Sequence, residues 1–381
     1  MKKEYSGKKV IKAGDTLIAF EEKNKNDSKF LDAMDVLSYW RFTHIEPLEK
    51  AINLLQHISL KKDKNAIFAK RLKRHTSIVK KLLRFQRMKL KNMQDIGGCR
   101  VVLTNQKKLK QTVRDIKKHP EFKHHDGSFK AKDYVKNPKD DGYRGFHIIG
   151  FFPDSTGKIL SIEFQLRTRI QHYWATALEI VDLFTDQALK SNQGEDDWKL
   201  FFTEVSEQFS IMDNIHIFDT FSFDKKVDLY EEVLMLQKND TLLQSCKVAQ
   251  DLCKKLDVFE KLNAFSASLQ IIEDKLSKVD TSAGYILLKI NVKKSLVHTK
   301  IFSLEDSKIA EQEYIEEEKS AMAKNEIVIA LVSTTSVGDI KEAYPNYFAD
   351  STKFMDHLNI VSELNIISNA KEPKFNFLPY Q

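Results

Sequence analysis

The sequence is poor in cysteine, glycine and proline, and it lacks any long apolar run. Its three cysteines, Cys99, Cys246 and Cys253, cannot frame a disulfide-stapled fold or close a four-thiolate zinc site. A reducing, cytoplasmic home is therefore expected. With 12 Gly and 7 Pro among 381 residues, collagen-like, mucin-like and wholly disordered chains are excluded. No stretch of about 18 apolar residues occurs, so no membrane contact through a spanning helix is expected. The start, MKKEYSGKKVIKAGD, has lysines but no apolar segment, which does not read as a secretory signal. No internal repeat is visible.

Charge is abundant and unevenly spread. Residues 1–200 hold 41 Lys+Arg against 25 Asp+Glu, whereas the remainder is net acidic. Residues 61–150 alone hold 26 basic and 8 acidic side chains. Such a block suits a polyanionic ligand (phosphates, nucleotides or RNA) or a solvated face of scattered lysines.

Periodicity gives an outline of the elements. Residues 28–60 read as helical, with Ile45, Leu48, Ile52, Leu55 and Leu60 near helical spacing and Pro47 tolerable only close to a helix start. Residues 66–90 read as a second, very basic helix. On it Lys73, Ser77 and Lys81 would share a face, a stacking of like charge that a polyphosphate could neutralise. Cys99–Leu103 reads as a strand, 106–118 as a helix, and 119–146 as loop. Residues 147–152 and 159–167 read as strands joined by Pro153-Asp154-Ser155-Thr156-Gly157. The second of these alternates, with Ile162, Phe164 and Leu166 on one side and Glu163, Gln165 and Arg167 on the other. A helix follows to about residue 190. Residues 191–197 look like a boundary.

Beyond it, helices dominate to about residue 279. Strands at 285–292, 296–303 and 326–333 surround an acidic helix at 305–323, and Pro345 must interrupt a helix. The expected fold class is α/β (α+β): a mixed β-sheet flanked by helices over 1–195, a helical region over 196–280, and a small αβ module over 281–381. Cys246 and Cys253, seven apart on a helix, read as core. The acidic helix either docks on the basic region or is a solvated face.

Asp95 stands alone between Asp63 and Asp115 in a stretch of lysines and arginines, just before a buried-type strand. A carboxylate there and another on a neighbouring strand can hold Mg²⁺, which takes one or two carboxylates plus substrate phosphates. Alternatively Asp95 caps a turn and Glu163 forms a salt bridge. Gly142-Tyr143-Arg144-Gly145-Phe146-His147 offers a turn, a ring able to stack on a base, and two polar contacts. A buried turn tyrosine is the plainer fate.

These blocks occur in order: Arg71-x-Lys73-x3-Ser77-x3-Lys81, Asp95-Ile96-Gly97-Gly98-Cys99-Arg100-Val101, Asp133-Tyr134 through Gly142–His147, and Ile162–Thr168, followed by His172-Tyr173-Trp174-Ala175 and Glu179. Together they resemble the synthetase domain of RelA/SpoT alarmone enzymes, and the small alarmone synthetases most. Trp40-Arg41-x2-His44-x2-Pro47-Leu48 is similar to the helix preceding that domain. The resemblance covers roughly residues 35–190. It implies a nucleotidyltransferase-like fold. The implied activity is a pyrophosphokinase that moves the β,γ-diphosphate of ATP to the 3′-hydroxyl of GDP or GTP, giving (p)ppGpp. By position, Arg71, Lys73, Ser77 and Lys81 would hold the ATP phosphates. Asp95 would bind Mg²⁺, and Glu163 would share the metal or accept the hydroxyl proton. Tyr143 would stack on the acceptor base. Lys139, Arg144, His147, Gln165, Arg167 and His172 would line the acceptor pocket.

Gly145 stands where many relatives have Ser, and His172 where many small synthetases have Asn near the base. No hydrolase domain is expected, and the dipeptide His125-Asp126 reads as chance. A homo-oligomer is an expectation by resemblance. Two other readings remain open. One is a toxic small alarmone synthetase that modifies adenine nucleotides or the 3′ end of tRNA, with the C-terminal region as a neutralising or sensing module making a regulatory contact. The other is a non-catalytic nucleotide- or RNA-binding protein.

Overall fold

A computed structural model describes residues 4–20, 28–73, 75–85, 87–124, 126–188, 195–276, 283–291, 294, 296–303, 305–321, 327–333 and 347–364. The chain divides into two compact units. The first comprises residues 1–137 and 145–169, the second residues 138–144 and 170–381.

The first unit is built on a five-stranded mixed sheet. Its strands are β1 (Ile67–Leu72), β2 (Gly97–Leu103), β3 (Ala131–Asp133), β4 (Phe146–Pro153) and β5 (Ile159–Thr168), in the order β1-β2-β5-β4-β3. β2 and β5 are parallel, and every other pairing is antiparallel. The alternation expected for β5 is realised: Ile162, Phe164 and Leu166 are fully buried, and the residues between them face the other way. Two helices cover the apolar face. These are α3 (Ile45–Leu60), through Leu48, Ala51, Ile52 and Leu55, and α5 (Gln106–Ile116), through Leu109 and Ile116. A second cluster joins α1 (Gly7–Phe20), α2 (Ser28–Phe42) and α4 (His75–Arg84) around Leu17, Leu37, Trp40, Ile78 and Leu82. The hairpin between β4 and β5 turns through Gly157 at φ +82°, a left-handed conformation that suits glycine.

Two sequence expectations are corrected here. Residues 66–90 are not one helix, because Ile67–Leu72 pair with β2 across six positions and the helix begins only at His75. Phe68 and Leu72 are four apart, a spacing that fits one helical turn and two strand repeats equally well, so pattern alone could not decide. Lys73 therefore precedes α4 rather than stacking on it, and its amide donates to the Ile96 carbonyl at 2.7 Å. Ser77 and Lys81 do lie on α4. The second correction is β3, a three-residue edge strand inside the expected loop.

The second unit, from residue 170 on, holds the body of α6 (Arg169–Ala188), with α7 (Glu195–Asn214), α8 (Phe223–Leu236), α9 (Asp240–Lys255), α10 (Val258–Leu276), α11 (Ser307–Ala321) and α12 (Tyr347–Glu363). Its antiparallel sheet runs β7-β6-β8, with β6 (Ala283–Asn291), β7 (Leu296–Ser303) and β8 (Ile327–Ser333). These strands and the acidic α11 match the sequence reading. α11 rests on the sheet through Ala310, and its Glu313 and Glu317 pair with Lys300 and Lys289 of that sheet. Cys246 and Cys253 are buried on α9. Residues 189–194, 281–282, His125 and Pro345, on which sequence expectations also fell, lie outside the described residues.

His44 sits at the start of α3, 1% exposed, and its Nδ1 donates to the Trp40 carbonyl at 2.8 Å. Burial, against the opposing help of that hydrogen bond, pulls its pKa down from 6.5 to about 4, and the Lys158 charge adds to the fall. The folded state thus favours the neutral ring. Its contribution is fully present above pH 6.5 and is lost as pH falls through about 4. The loss amounts to about 3 kcal/mol. Thermal unfolding followed across this range is expected to steepen below pH 6.5 in the wild type. His44→Gln is expected to flatten that slope, and an identical slope in the variant would overturn the assignment.

Candidate functional site

The parallel pairing of β2 with β5 sets Gly98 beside Glu163 and Arg100 beside Gln165. β4 sets His147 beside Gln165, and β1 sets Arg71 beside Gly98. Cross-strand partners share a face. Arg71, Arg100, His147, Glu163, Gln165 and Arg167 therefore occupy the face opposite the apolar core. Arg100 stands in the Asp95–Val101 block without an expected role there. Its signal was present, as it alternates with Cys99 and Val101, which are buried in the core.

Glu163 is the best-held carboxylate on this face. His147 Nδ1 donates to its Oε1 at 3.2 Å, and Gln165 Nε2 donates to its Oε2 at 2.8 Å. Burial alone would raise its pKa. The His147 bond and charge, the Gln165 amide and the Lys81 charge outweigh burial and bring it down to about 2.

Asp95 lies in the turn before β2. Its Oδ2 accepts from both Lys73 (3.1 Å) and Lys81 (2.7 Å). Its Oδ1 is buried and has no hydrogen-bond partner. A buried, unsatisfied carboxylate oxygen is costly unless something takes it. Lys73 is fixed from behind, where Arg41 Nε donates to its carbonyl at 2.7 Å. Of the remaining phosphate candidates, Arg71 is exposed and Ser77 half-buried.

For a divalent cation the fit is chemical. Asp95 and Glu163 supply hard carboxylate oxygens, and one of those oxygens lacks a partner. Among the described residues no group of three or more His, Cys, Asp or Glu side chains forms a complete protein cage. Mg²⁺ takes one or two carboxylates and completes its shell with water and phosphate.

Lys139, Tyr143, Arg144 and His172 belong to the second unit. Tyr143 is 8% exposed, with Lys139 Nζ 4.5 Å from its ring centroid. Arg144 donates from Nε to Ser206 Oγ at 3.1 Å and from Nη2 to Glu207 Oε1 at 2.6 Å. His172 Nε2 donates to Asp350 Oδ2 at 3.1 Å, and both residues are buried. Ser206, Glu207 and Asp350 were not singled out from sequence. They lie too far along the chain for local spacing to link them to residues 144 and 172.

Comparison with known proteins agrees with these blocks. Residues 70–180 match the model of the region found in RelA and SpoT proteins. The chain is 31% identical over 115 residues to the GTP pyrophosphokinase YwaC of Bacillus subtilis (strain 168), covering 28% of this chain and 52% of that protein. It is 31% identical over 93 residues to the GTP pyrophosphokinase YjbM of the same organism, covering 23% of this chain and 41% of that one. The matches thus span about half, or less, of those relatives' length. The crystal structure of small alarmone synthetase 1 from Bacillus subtilis aligns at a TM-score of 0.40 and 22% identity, over 47% of this chain and 93% of that chain.

The depressed Glu163 pKa is testable. His147→Ala removes the bond and the charge that oppose burial, so the carboxyl is expected to titrate well above its wild-type midpoint of about 2. Carbon NMR of labelled glutamate carboxyls would follow it, and an unmoved midpoint would refute the His147 assignment.

Proposed function

We propose that this chain is an ATP-dependent pyrophosphokinase that transfers the β,γ-diphosphate of ATP to the ribose 3′-hydroxyl of GDP or GTP. The observation that carries this reading is the Asp95 carboxylate, shared by Lys73 and Lys81 through one oxygen while the other is buried without a partner. The RelA/SpoT match over residues 70–180 and the likeness to GTP pyrophosphokinases support the reaction class and the guanine acceptor.

In the reaction the acceptor 3′-oxygen attacks the β-phosphorus of ATP. A new O3′–Pβ bond forms, the bridge between the α- and β-phosphates breaks on its β side, and AMP leaves. Such a transfer depends on positioning and charge neutralisation rather than on covalent help from the protein. Lys73 and Lys81 exchange part of their hold on Asp95 for phosphate oxygens, and Arg71 adds a cation at the sheet edge. Asp95 and Glu163 would hold Mg²⁺, which, when bound, neutralises charge on the phosphate oxygens. Glu163, held by His147 and Gln165, would share the metal or take the 3′-hydroxyl proton as the new bond forms. Within the second unit, Lys139, Tyr143, Arg144 and His172 take the acceptor.

The test is transfer of label from γ-phosphate-labelled ATP with Mg²⁺ to GDP, GTP, ATP or deacylated tRNA, offered separately. Label on GDP or GTP is expected. Label on tRNA or ATP with guanine nucleotides untouched would replace the acceptor, and no label on any of them would overturn the transfer. Asp95→Asn is expected to cut Mg²⁺-dependent transfer by about 100-fold or more with an unchanged melting curve. Wild-type activity in that variant would overturn the metal assignment.

A further inference from the structure

We propose that Arg41 of α2 is a positioning residue for ATP: by gripping the corner between β1 and α4, it sets Lys73 and Lys81 on one oxygen of Asp95, where the triphosphate is received. This rests on the phosphate-binding roles given above to Lys73 and Lys81.

All the groups concerned lie within the first unit. The β1–β2 ladder ends with Leu72 beside Gly97. One residue on, the Lys73 amide still donates to the Ile96 carbonyl at 2.7 Å, which registers Lys73 next to Asp95. The Lys73 carbonyl has passed beyond the ladder, and Arg41 Nε donates to it at 2.7 Å. The backbone of Lys73 is thus held on two sides, by the approach to β2 and by a guanidinium from α2. From that fixed backbone its ammonium reaches Asp95 Oδ2 at 3.1 Å.

The same guanidinium marks the start of the helix that carries Lys81. Arg41 Nη1 stands 3.5 Å from His75 Nε2, and Ser38 Oγ stands 2.9 Å from the same nitrogen. His75 is the first residue of α4. Burial, with the Arg41 charge, keeps His75 below its ordinary pKa, so a neutral ring sits beside the guanidinium. Ser38 and Arg41 are three apart and project from one side of α2. Beside them, Leu37 and Trp40 share an apolar cluster with Ile78 and Leu82 of α4. Apolar packing brings α2 against α4 without fixing direction. A planar guanidinium adds directional bonds, and these fix the backbone corner. α2 precedes residue 70, where the RelA/SpoT match begins. The phosphate-binding corner therefore takes its support from outside the matched region.

Full-length Arg41→Gln, Arg41→Lys and Arg41→Ala would be compared with wild type. The readouts are calorimetric affinity for a methylene-bridged ATP analogue with Mg²⁺, the KM for ATP and for GDP, and the melting curve. Arg41→Gln is expected to weaken analogue binding and raise the KM for ATP by about 10- to 100-fold, with the KM for GDP unchanged. Arg41→Lys keeps the charge but not the fork and is expected to recover only part of the loss. Methylguanidinium added to Arg41→Ala is expected to restore part of the analogue affinity, a rescue that a general loss of packing would not show. Asp15→Asn, which breaks an exposed pair with Lys89 in the same unit, should leave every readout at wild-type values.

Analogue affinity equal to wild type in Arg41→Gln would overturn the positioning role. So would a loss in which both KM values rise together as the melting temperature falls. Should Arg41→Gln fail to fold, Arg41→Lys carries the same comparison, and wild-type affinity in it would count equally against the role. A wild type that binds the analogue but labels no acceptor refutes the pyrophosphokinase reading, and the affinities alone then decide for or against Arg41. A wild type that does not bind the analogue overturns both.

Discussion

The parallel pairing of β2 with β5 is the constraint on which the first unit depends. β5 is the central strand, bonded on one side to β2 and on the other to β4. Its register couples two patterns: Cys99 beside Phe164 within the core, and Gly98 beside Glu163 on the opposite face. A slip of one residue would turn Phe164 outward and Glu163 into the apolar layer under α3 and α5. Burial of Ile162, Phe164 and Leu166 therefore also aims Glu163, Gln165 and Arg167. The apolar pattern that stabilises the sheet is the device that positions its polar side chains.

Around that face the electrostatics are deliberately unbalanced. Two ammonium groups share one oxygen of Asp95, so these three side chains together keep one net positive charge. Like charges held close together raise the energy of the ligand-free state, and a phosphate chain relieves that cost. The Lys81 charge also reaches Glu163, so one side chain on α4 links both carboxylates electrostatically. The network that His147 and Gln165 make around Glu163 keeps that carboxylate ionised without leaving it exposed.

What could be read from the sequence was whatever local periodicity and turn chemistry determine. The β4–β5 hairpin, the alternation of β5, and the order of β6, β7, α11 and β8 all emerged from spacing. β1 did not, because Phe68 and Leu72 satisfy helix and strand periods alike. β3 did not, because three residues at a sheet edge carry too little pattern to stand out from their loop. The motif blocks named the site residues, but spacing could not reveal what they touch. Glu207 lies 63 residues beyond Arg144, and Asp350 lies 178 beyond His172. Such contacts are set by tertiary packing and leave no local signature.

Gly142 and its neighbours have a consequence for how the chain is made. Residues 138–144 lie in sequence between β3 and β4 but pack with the second unit, so the chain crosses between the two units more than once. As the protein emerges from the ribosome, the sheet can pair β4 with β5 as soon as both strands are out. The segment carrying Tyr143 and Arg144 must wait for Ser206 and Glu207 before it can settle. A nascent or truncated chain ending soon after α6 would carry a finished sheet and an unsupported loop. Fragments cut near residue 195 would therefore differ from the intact protein in the geometry of that loop as well as in length.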